Sequence, residues 1–425
     1  MNQFPYDVVI FDLDGTLFDS EIPVVHTAKY TMEVINHIVP EGTDFRLLIG
    51  PPLRDSFPSL LAVPDSLLEE ALRVFGEQFY SEGVKHYSVY PHIRKILSTL
   101  KHNGVYIALA TAKDTPSATA LLSDFGMLQY FSTIIGKDDK FSGLEKGEMI
   151  RRALPEKYRR ACMVGDRKYD MDGALVAGID GIGVEYGFAA ENELIEAKAT
   201  HIIPTTEALF DFLCPNAHPI RGFFLTLEGP DGSGKSTQSE AIKSKLIQYG
   251  FDVLHTREPG GCAISEKIRN IILDVDNSEM CATCEALLYA ASRAQHVKQV
   301  IIPAVEQGKV VLCDRFVDSS IAYQGGGRGL GVSVVKSINS PAVADMLPDA
   351  TLYLSIDHKE ALKRKLSSAT PDRLEKETIA FHAKVQEAYE QLISEDPSRF
   401  MIVDATKDAT SITQDAMNLI LKKLN

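Results

Sequence analysis

The sequence has no tryptophan, only six cysteines in 425 residues, and no apolar run approaching the ~18 residues that a membrane-spanning helix needs. It is also short of positive charge: 44 Lys and Arg stand against 58 Asp and Glu, a net charge of −14. Each shortage excludes something. Six thiols in so long a chain make no disulfide framework. Without a basic surface there is little to attract nucleic acid or an anionic membrane. The N-terminal Met1-Asn2-Gln3-Phe4-Pro5-Tyr6 carries no basic and apolar leader, so a cytoplasmic location is the expectation.

What is present is ordinary globular composition, 45% hydrophobic and 24% charged, with a length that predicts two or three domains. The acidity is uneven. Residues 1–215 hold 20 basic and 31 acidic side chains, the rest 24 and 27, so the second half better suits a larger anionic substrate. Two segments open alike, with a short apolar strand that runs into a phosphate-chemistry motif. Val8-Val9-Ile10-Phe11 leads into Asp12-Leu13-Asp14-Gly15-Thr16, and Phe223 to Leu227 leads into Glu228-Gly229-Pro230-Asp231-Gly232-Ser233-Gly234-Lys235-Ser236. Pro215 to Arg221, with two prolines and no apolar period, reads as a linker between domains 1–214 and 222–425.

Other apolar runs, at 105–110, 161–164, 310–313 and 350–354, alternate with helical stretches. That pattern predicts α/β architecture, two Rossmann-like parallel sheets whose ligands sit at the carboxyl ends of strands. Residues 20–85 show helical period and no strand, which predicts a helical cap on the first domain. Loop 183–188 is expected to border its site.

Asp12 and Asp14, two apart just past a buried strand, can converge on one site as the chain turns at Gly15. Neighbouring carboxylates repel, so one ionises readily while the other tends to hold a proton, which suits a nucleophile beside a general acid. Thr111 closes a strand, Lys146 opens a helix, and Gly165-Asp166-Arg167-Lys168-Tyr169-Asp170 follows another strand. Together these resemble the four motifs of the haloacid dehalogenase superfamily, over about residues 4–213. Ile49-Gly50-Pro51-Pro52-Leu53 and Ala174 to Ile179 look closest to its phosphoglycolate-phosphatase-like members. The resemblance implies a Mg²⁺-dependent phosphatase acting on a small phosphomonoester. In it Asp12 becomes an aspartyl phosphate, Asp14 is acid and then base, Thr111 holds the phosphoryl oxygens and Lys146 offsets their charge. Asp12, Asp166 and the Asp14 carbonyl bind the metal, with Asp170 as a ligand or directly behind. Lys140 is the rival for the Lys146 role. His26 and Arg54 are expected on the surface.

Gly229 to Ser236 fits GxxxxGK[ST] between a strand and a helix, where backbone N–H groups wrap phosphates, Lys235 reaches them and Ser236, with Thr237 after it, sits at the metal. Thr256-Arg257-Glu258-Pro259-Gly260-Gly261 comes after the next strand. Tyr289 and Arg293, four apart, share a helix face. Arg269, Asp314-Arg315-Phe316 and Ser319-Ser320-Ile321-Ala322-Tyr323-Gln324 complete a set that resembles the thymidylate kinase family over residues 222–425. That resemblance implies transfer from ATP to dTMP with Mg²⁺, in a homodimer formed through this half. Tyr289 would stack on thymine. Arg293, Ser320, Gln324 and Arg269 would line the base pocket. Arg257, Arg315 and Asp231 would position phosphate and sugar, Tyr323 would crowd C2′, and Asp314 would help hold the metal. Gly232 stands where some members carry a catalytic arginine, which moves that role to Asp372-Arg373-Leu374-Glu375, to Arg373 first and Arg364 second. Cys262 and Ser265 depart from the common Thr and Gly. Cys281-Ala282-Thr283-Cys284, with no second pair at zinc spacing, reads as a helix start rather than a metal site. The alternatives are a kinase for another nucleoside monophosphate, and a first half that regulates without catalysing.

Overall fold

The computed structural model describes residues 4–137, 145–215, 217, 220–366 and 377–424. The chain forms two compact units, the first of 1–218 with 248–251 and the second of 219–247 with 252–425.

The first unit has strands β1 (Val8–Phe11), β2 (Phe18–Asp19), β3 (Ser88–Val89), β4 (Tyr106–Ala110), β5 (Thr133–Ile135), β6 (Ala161–Gly165), β7 (Asp180–Val184) and β8 (His201–Ile203). Six of them form one sheet in the order β5-β4-β1-β6-β7-β8, every pairing parallel. Alternation along β1 explains its central place. Val9 and Phe11 enter one hydrophobic cluster, Val8 and Ile10 the other, so both faces are covered. Fully burying each such side chain is worth about 1.5–3 kcal/mol. The chain runs outward on both sides of β1, which puts the topological switch at its carboxyl end. The short antiparallel pair β2 and β3 brackets three helices, Glu21–Val34, Leu53–Leu61 and Asp65–Ser81.

The second unit has β9 (Phe223–Glu228), β10 (Val253–Arg257), β11 (Val310–Asp314), β12 (Ala350–Ser355) and β13 (Phe400–Asp404). They form a second parallel sheet in the order β10-β11-β9-β12-β13, whose switch falls at β9. Two expectations need correction. Gly183 and Val184 end β7 rather than belonging to the loop, which starts at Glu185. Thr256 and Arg257 are the last two residues of β10, not part of the loop after it. The glycines of β7 disguise it as a turn. A Cβ at Gly181 or Gly183 would sit 3.0 Å from Met171 Sδ or Leu194 Cδ1, so they are there for close helix packing.

Candidate active sites

In the first unit three neighbouring strands each stop one residue short of a chemical group. Asp12 follows β1, Thr111 follows β4 and Asp166 follows β6. The Asp12 N–H donates to Val164 O (2.9 Å) and the Thr111 N–H to Ile135 O (2.9 Å), so the sheet register itself sets their spacing. Gly15, at φ +80°, turns the chain between Asp14 and Thr16; a Cβ there would lie 2.2 Å from Asp166 Oδ2.

Asp12, Asp166 and Asp170 are buried, and each offers a carboxylate oxygen within 4.8 Å of the others. Lys146 Nζ bridges two of them, at 2.6 Å from Asp12 Oδ1 and 2.7 Å from Asp170 Oδ1. Burial pushes Asp12 upward against the pull of Lys146, with Asp170 adding to the push. Burial, then the charges of Asp170 and Asp12, push Asp166 well above the usual carboxylate range. Three carboxylates around one ammonium leave negative charge that an all-oxygen, hard divalent cation would offset, so the donor set fits Mg²⁺. Asp166 is held by the Phe188 N–H (2.8 Å) and Thr16 Oγ1 (3.3 Å). Thr111 is buried, and its Oγ1 accepts from the Lys113 N–H (3.2 Å).

Asp14 stands apart from the carboxylate cluster. Tyr87 OH donates to its Oδ1 (2.9 Å), and Lys113 Nζ lies 3.4 Å from Oδ2 and 3.2 Å from the Tyr87 hydroxyl. Sequence reading did not single out Tyr87 or Lys113. His26 is exposed, and Arg54 is exposed beside Glu69 (2.5 Å). Lys140 lies outside the described residues.

In the second unit the glycine-rich loop joins β9 to the helix Lys235–Gln248. Gly229, Gly232 and Gly234 have φ of +146°, +86° and +90°, a run that side chains rarely adopt. The loop borders a cavity of about 560 Å³. Asp231, Gly232, Gly234, Lys235, Ser236 and Thr237 wall one end of it, while Gly229 and Ser233 do not line it. Lys235 Nζ donates to two carbonyls of its own loop, Pro230 O (2.8 Å) and Gly229 O (3.1 Å). Burial, then the nearby Arg315 charge, lowers it to about 8. Arg315, at φ +68°, donates to Asp231, which also accepts from Tyr323 OH (2.7 Å). Burial works against the Asp231 charge, but Arg315 and Lys235 outweigh it and hold the carboxyl at about 2. Asp314 borders the cavity, and its Oδ1 is buried with no partner among the described residues, which fits a polar ligand there.

The other end is walled by Arg257, Arg269, Tyr289, Arg293, Ser320 and Gln324. Arg293 is 1% exposed and held almost completely. It donates to Glu258 Oε2 (2.7 Å), Asn339 Oδ1, Phe316 O (3.1 Å) and Ser320 Oγ (3.1 Å). Gln324 Nε2 donates to buried Glu285 (2.9 Å), which Arg328 also binds (3.1 Å), leaving Gln324 Oε1 without a partner. Arg257 reaches Glu266 (3.2 Å) and Arg269 reaches Pro259 O (2.7 Å). Glu258, Glu285, Arg328 and Asn339 were not picked out from sequence. Arg364 borders the cavity and donates to Ala405 O (2.8 Å) and Glu360 (2.7 Å). Arg373 lies outside the described residues. Cys262 Sγ contacts Ser265 Oγ at 3.0 Å. Cys281 precedes the helix Ala282–His296 and Cys284 lies in its first turn, both exposed and unbonded.

Comparison with known proteins finds a family model for each half. A family model for thymidylate kinase matches residues 227–416, and one for haloacid dehalogenase-like hydrolase matches residues 9–184. The thymidylate kinase of Bacillus velezensis is 48% identical over 208 residues, covering 48% of this chain and 98% of that one. That of Finegoldia magna is 48% identical over 202 residues, again 48% and 98%. Among solved structures, a haloacid dehalogenase-like family hydrolase from Streptococcus pneumoniae is 26% identical, covers 48% of this chain and 97% of its own, and has a TM-score of 0.44. Among the described residues no helix is long and apolar enough to cross a membrane. Through its second half the chain belongs to the thymidylate kinase family, and its first half matches the family model for haloacid dehalogenase-like hydrolases.

Proposed function

We propose that one chain carries two phosphate-transfer activities: phosphorylation of dTMP to dTDP by ATP in the second unit, and Mg²⁺-dependent hydrolysis of a phosphomonoester in the first. The observation that carries the first activity is the cavity in which the glycine-rich loop faces Tyr289, Arg293 and Gln324. Lys235 would exchange its two loop carbonyls for phosphate oxygens of ATP. Arg315 and Asp231, already paired, would position the dTMP phosphate and sugar. A Gln324 amide whose N–H is committed to Glu285 presents its carbonyl oxygen, which suits the N3–H of thymine and not the bare N3 of cytosine. Arg373 supplies charge to the transferring phosphoryl group, as such reactions require. Ser236 and Asp314 would hold Mg²⁺, which when bound supplies positive charge against the phosphates.

In the first unit Asp12 attacks phosphorus and forms an aspartyl phosphate while Asp14 gives a proton to the leaving alcohol. Asp14 then takes a proton from water, which releases inorganic phosphate and restores Asp12. Tyr87 and Lys113 hold Asp14 on the leaving-group side, and Lys146 keeps Asp12 oriented. Asp12, Asp166 and Asp170 would hold Mg²⁺, which when bound supplies the positive charge that lets a carboxylate approach a phosphate. The bacterial thymidylate kinases it resembles support a homodimeric, cytoplasmic enzyme, and the net charge of −14 supports one that leaves nucleic acid alone. The test is a paired assay on the full chain. With ATP and Mg²⁺ it should phosphorylate dTMP in preference to UMP or CMP, and it should hydrolyse phosphomonoesters only with Mg²⁺. Better turnover of UMP would overturn the thymine assignment, and the absence of all hydrolysis would leave the first unit a regulatory module.

A further inference from the structure

Beside Asp14 lies a second cavity, of about 290 Å³, that the reaction described above does not use. Its wall is largely apolar and comes from two places: Phe79 and Val84 at the end of the cap, and Pro116, Ala120 and Leu121 on the helix Thr115–Asp124. Tyr80 ties the two sides together, its hydroxyl 3.2 Å from Ser117 Oγ. The wall also includes Tyr87 and Lys113, the two residues that hold Asp14. One side of the cavity is therefore a single side chain away from the carboxyl that protonates the leaving group.

We propose that this cavity receives the leaving group, and that the hydrolase acts on monoesters of a neutral alcohol bearing an apolar or aromatic ring, not on a carboxylate-bearing ester such as phosphoglycolate. This rests on the hydrolytic reading of the first unit. Three features favour it. At 290 Å³ the cavity lies near the lower end of small-ligand sites, about 300–1,000 Å³, and holds far more than a two-carbon acid fills. Among the described residues its one basic group is Lys113, which is already shared by Asp14 and Tyr87 and lies over the Phe79 ring (5.2 Å). Asp124, exposed at the cavity edge, adds a negative charge that repels a carboxylate. The wall thus rewards an uncharged ring and penalises an acid. The chemistry balances without further reactants: the phosphorus–oxygen ester bond breaks, the alcohol leaves with the Asp14 proton, and water supplies the oxygen of the released phosphate.

The experiment compares benzyl phosphate, 2-phosphoglycolate and dTMP on the full chain with Mg²⁺. The first two have alkyl leaving groups, so the contrast is one of recognition. Benzyl phosphate should exceed 2-phosphoglycolate at least tenfold in kcat/KM, with dTMP also above the acid. Ala120→Trp, which fills the cavity from an exposed helix position, should cut that ratio at least tenfold through KM for benzyl phosphate. Asp124→Asn should narrow it from the other side by improving 2-phosphoglycolate. Kinase turnover serves as the internal check on the preparation. A preference for 2-phosphoglycolate overturns the proposal, as does an unchanged ratio in Ala120→Trp. If nothing is hydrolysed, calorimetric binding of benzyl phosphate separates the two ideas. Binding by the wild type that Ala120→Trp abolishes keeps the pocket and discards the hydrolysis; no binding discards both.

Discussion

At the end of β1 three buried carboxylates gather, two of them bridged by one lysine, whereas at the end of β9 a lysine and an arginine share one aspartate. Both sites handle phosphate at the switch point of a parallel sheet, yet their charges are opposite. The difference follows from who brings the nucleophile. In the proposed reaction the hydrolase supplies its own anion, Asp12, which calls for an added cation. The proposed kinase reaction brings in two anionic substrates, and its cavity is lined by Lys235, Arg257, Arg269, Arg293 and Arg315. Fold and location are shared; the sign of the site is set by the reaction.

The largest expected effects come from removing the group that defines each side of this contrast. Asp12→Asn should lower phosphomonoester hydrolysis by a factor on the order of 10⁴ or more and leave dTMP phosphorylation intact. Lys235→Ala should abolish dTMP phosphorylation and spare hydrolysis. Steady-state assays of both activities on each variant decide it. A several-fold loss of kinase turnover in folded Asp12→Asn would show that the sites are coupled.

Next comes Arg373, the arginine proposed to act on the transferring phosphoryl group. Arg373→Ala should reduce kcat for dTMP by a factor on the order of 10³ with little change in KM, the pattern of a contact made in the transition state. Arg364, already occupied by Ala405 O and Glu360, should matter less. The reverse order of severity would move the role to Arg364.

A smaller effect separates groups that touch substrate from those that orient them. Glu285 is buried and accepts from Gln324 and Arg328. Glu285→Ala leaves both donors short of a partner, at a cost of roughly 1–3 kcal/mol. The midpoint of chemical denaturation should fall, and discrimination of dTMP against dCMP should weaken because the Gln324 amide is free to turn over. A variant with wild-type discrimination would show that Gln324 is oriented by something else.

These residues also mark how far the sequence could be read. Asp12 with Asp14 and Gly229 with Lys235 are legible because turn chemistry confines them to a few consecutive residues. Tyr87 is 73 residues from Asp14, and Glu258 is 35 from Arg293, so only the folded chain brings them together. Nothing local in Ser-Val-Tyr or Arg-Glu-Pro announces such a partner. The strands behave alike. β9 and β11 open on apolar runs, Phe-Phe-Leu and Val-Val-Leu-Cys, and stand out, whereas β7, with glycines at 181 and 183, hides because helix packing and not pleat burial chose its residues. The helical character of 20–85 could be read from its period, while the apolar cavity that its end shares with residues 116–121 could not, since half of that wall comes from another element.

The smallest predicted effect is a titration, and it tests the electrostatic contrast most directly. Lys235 in the ligand-free cavity is held near 8 because burial and the Arg315 charge both oppose its proton. A phosphate placed against it reverses that balance and favours the ammonium form. At pH 7 the lysine is already protonated, so ATP binding should draw almost no proton to it. Above pH 8 the free site has lost the proton and binding must restore it, so ATP affinity should fall by up to tenfold per pH unit. Proton uptake should then approach one per site. Calorimetric titration of ATP in two buffers of different ionisation enthalpy, at pH 7 and pH 9, measures the uptake directly. Lys235→Arg, whose guanidinium stays charged throughout, should remove the pH 9 component. Uptake that persists in Lys235→Arg, or is missing at pH 9 in the wild type, would mean that the cavity's positive field does not depress this lysine, and that the opposition between the two sites is weaker than their geometry implies.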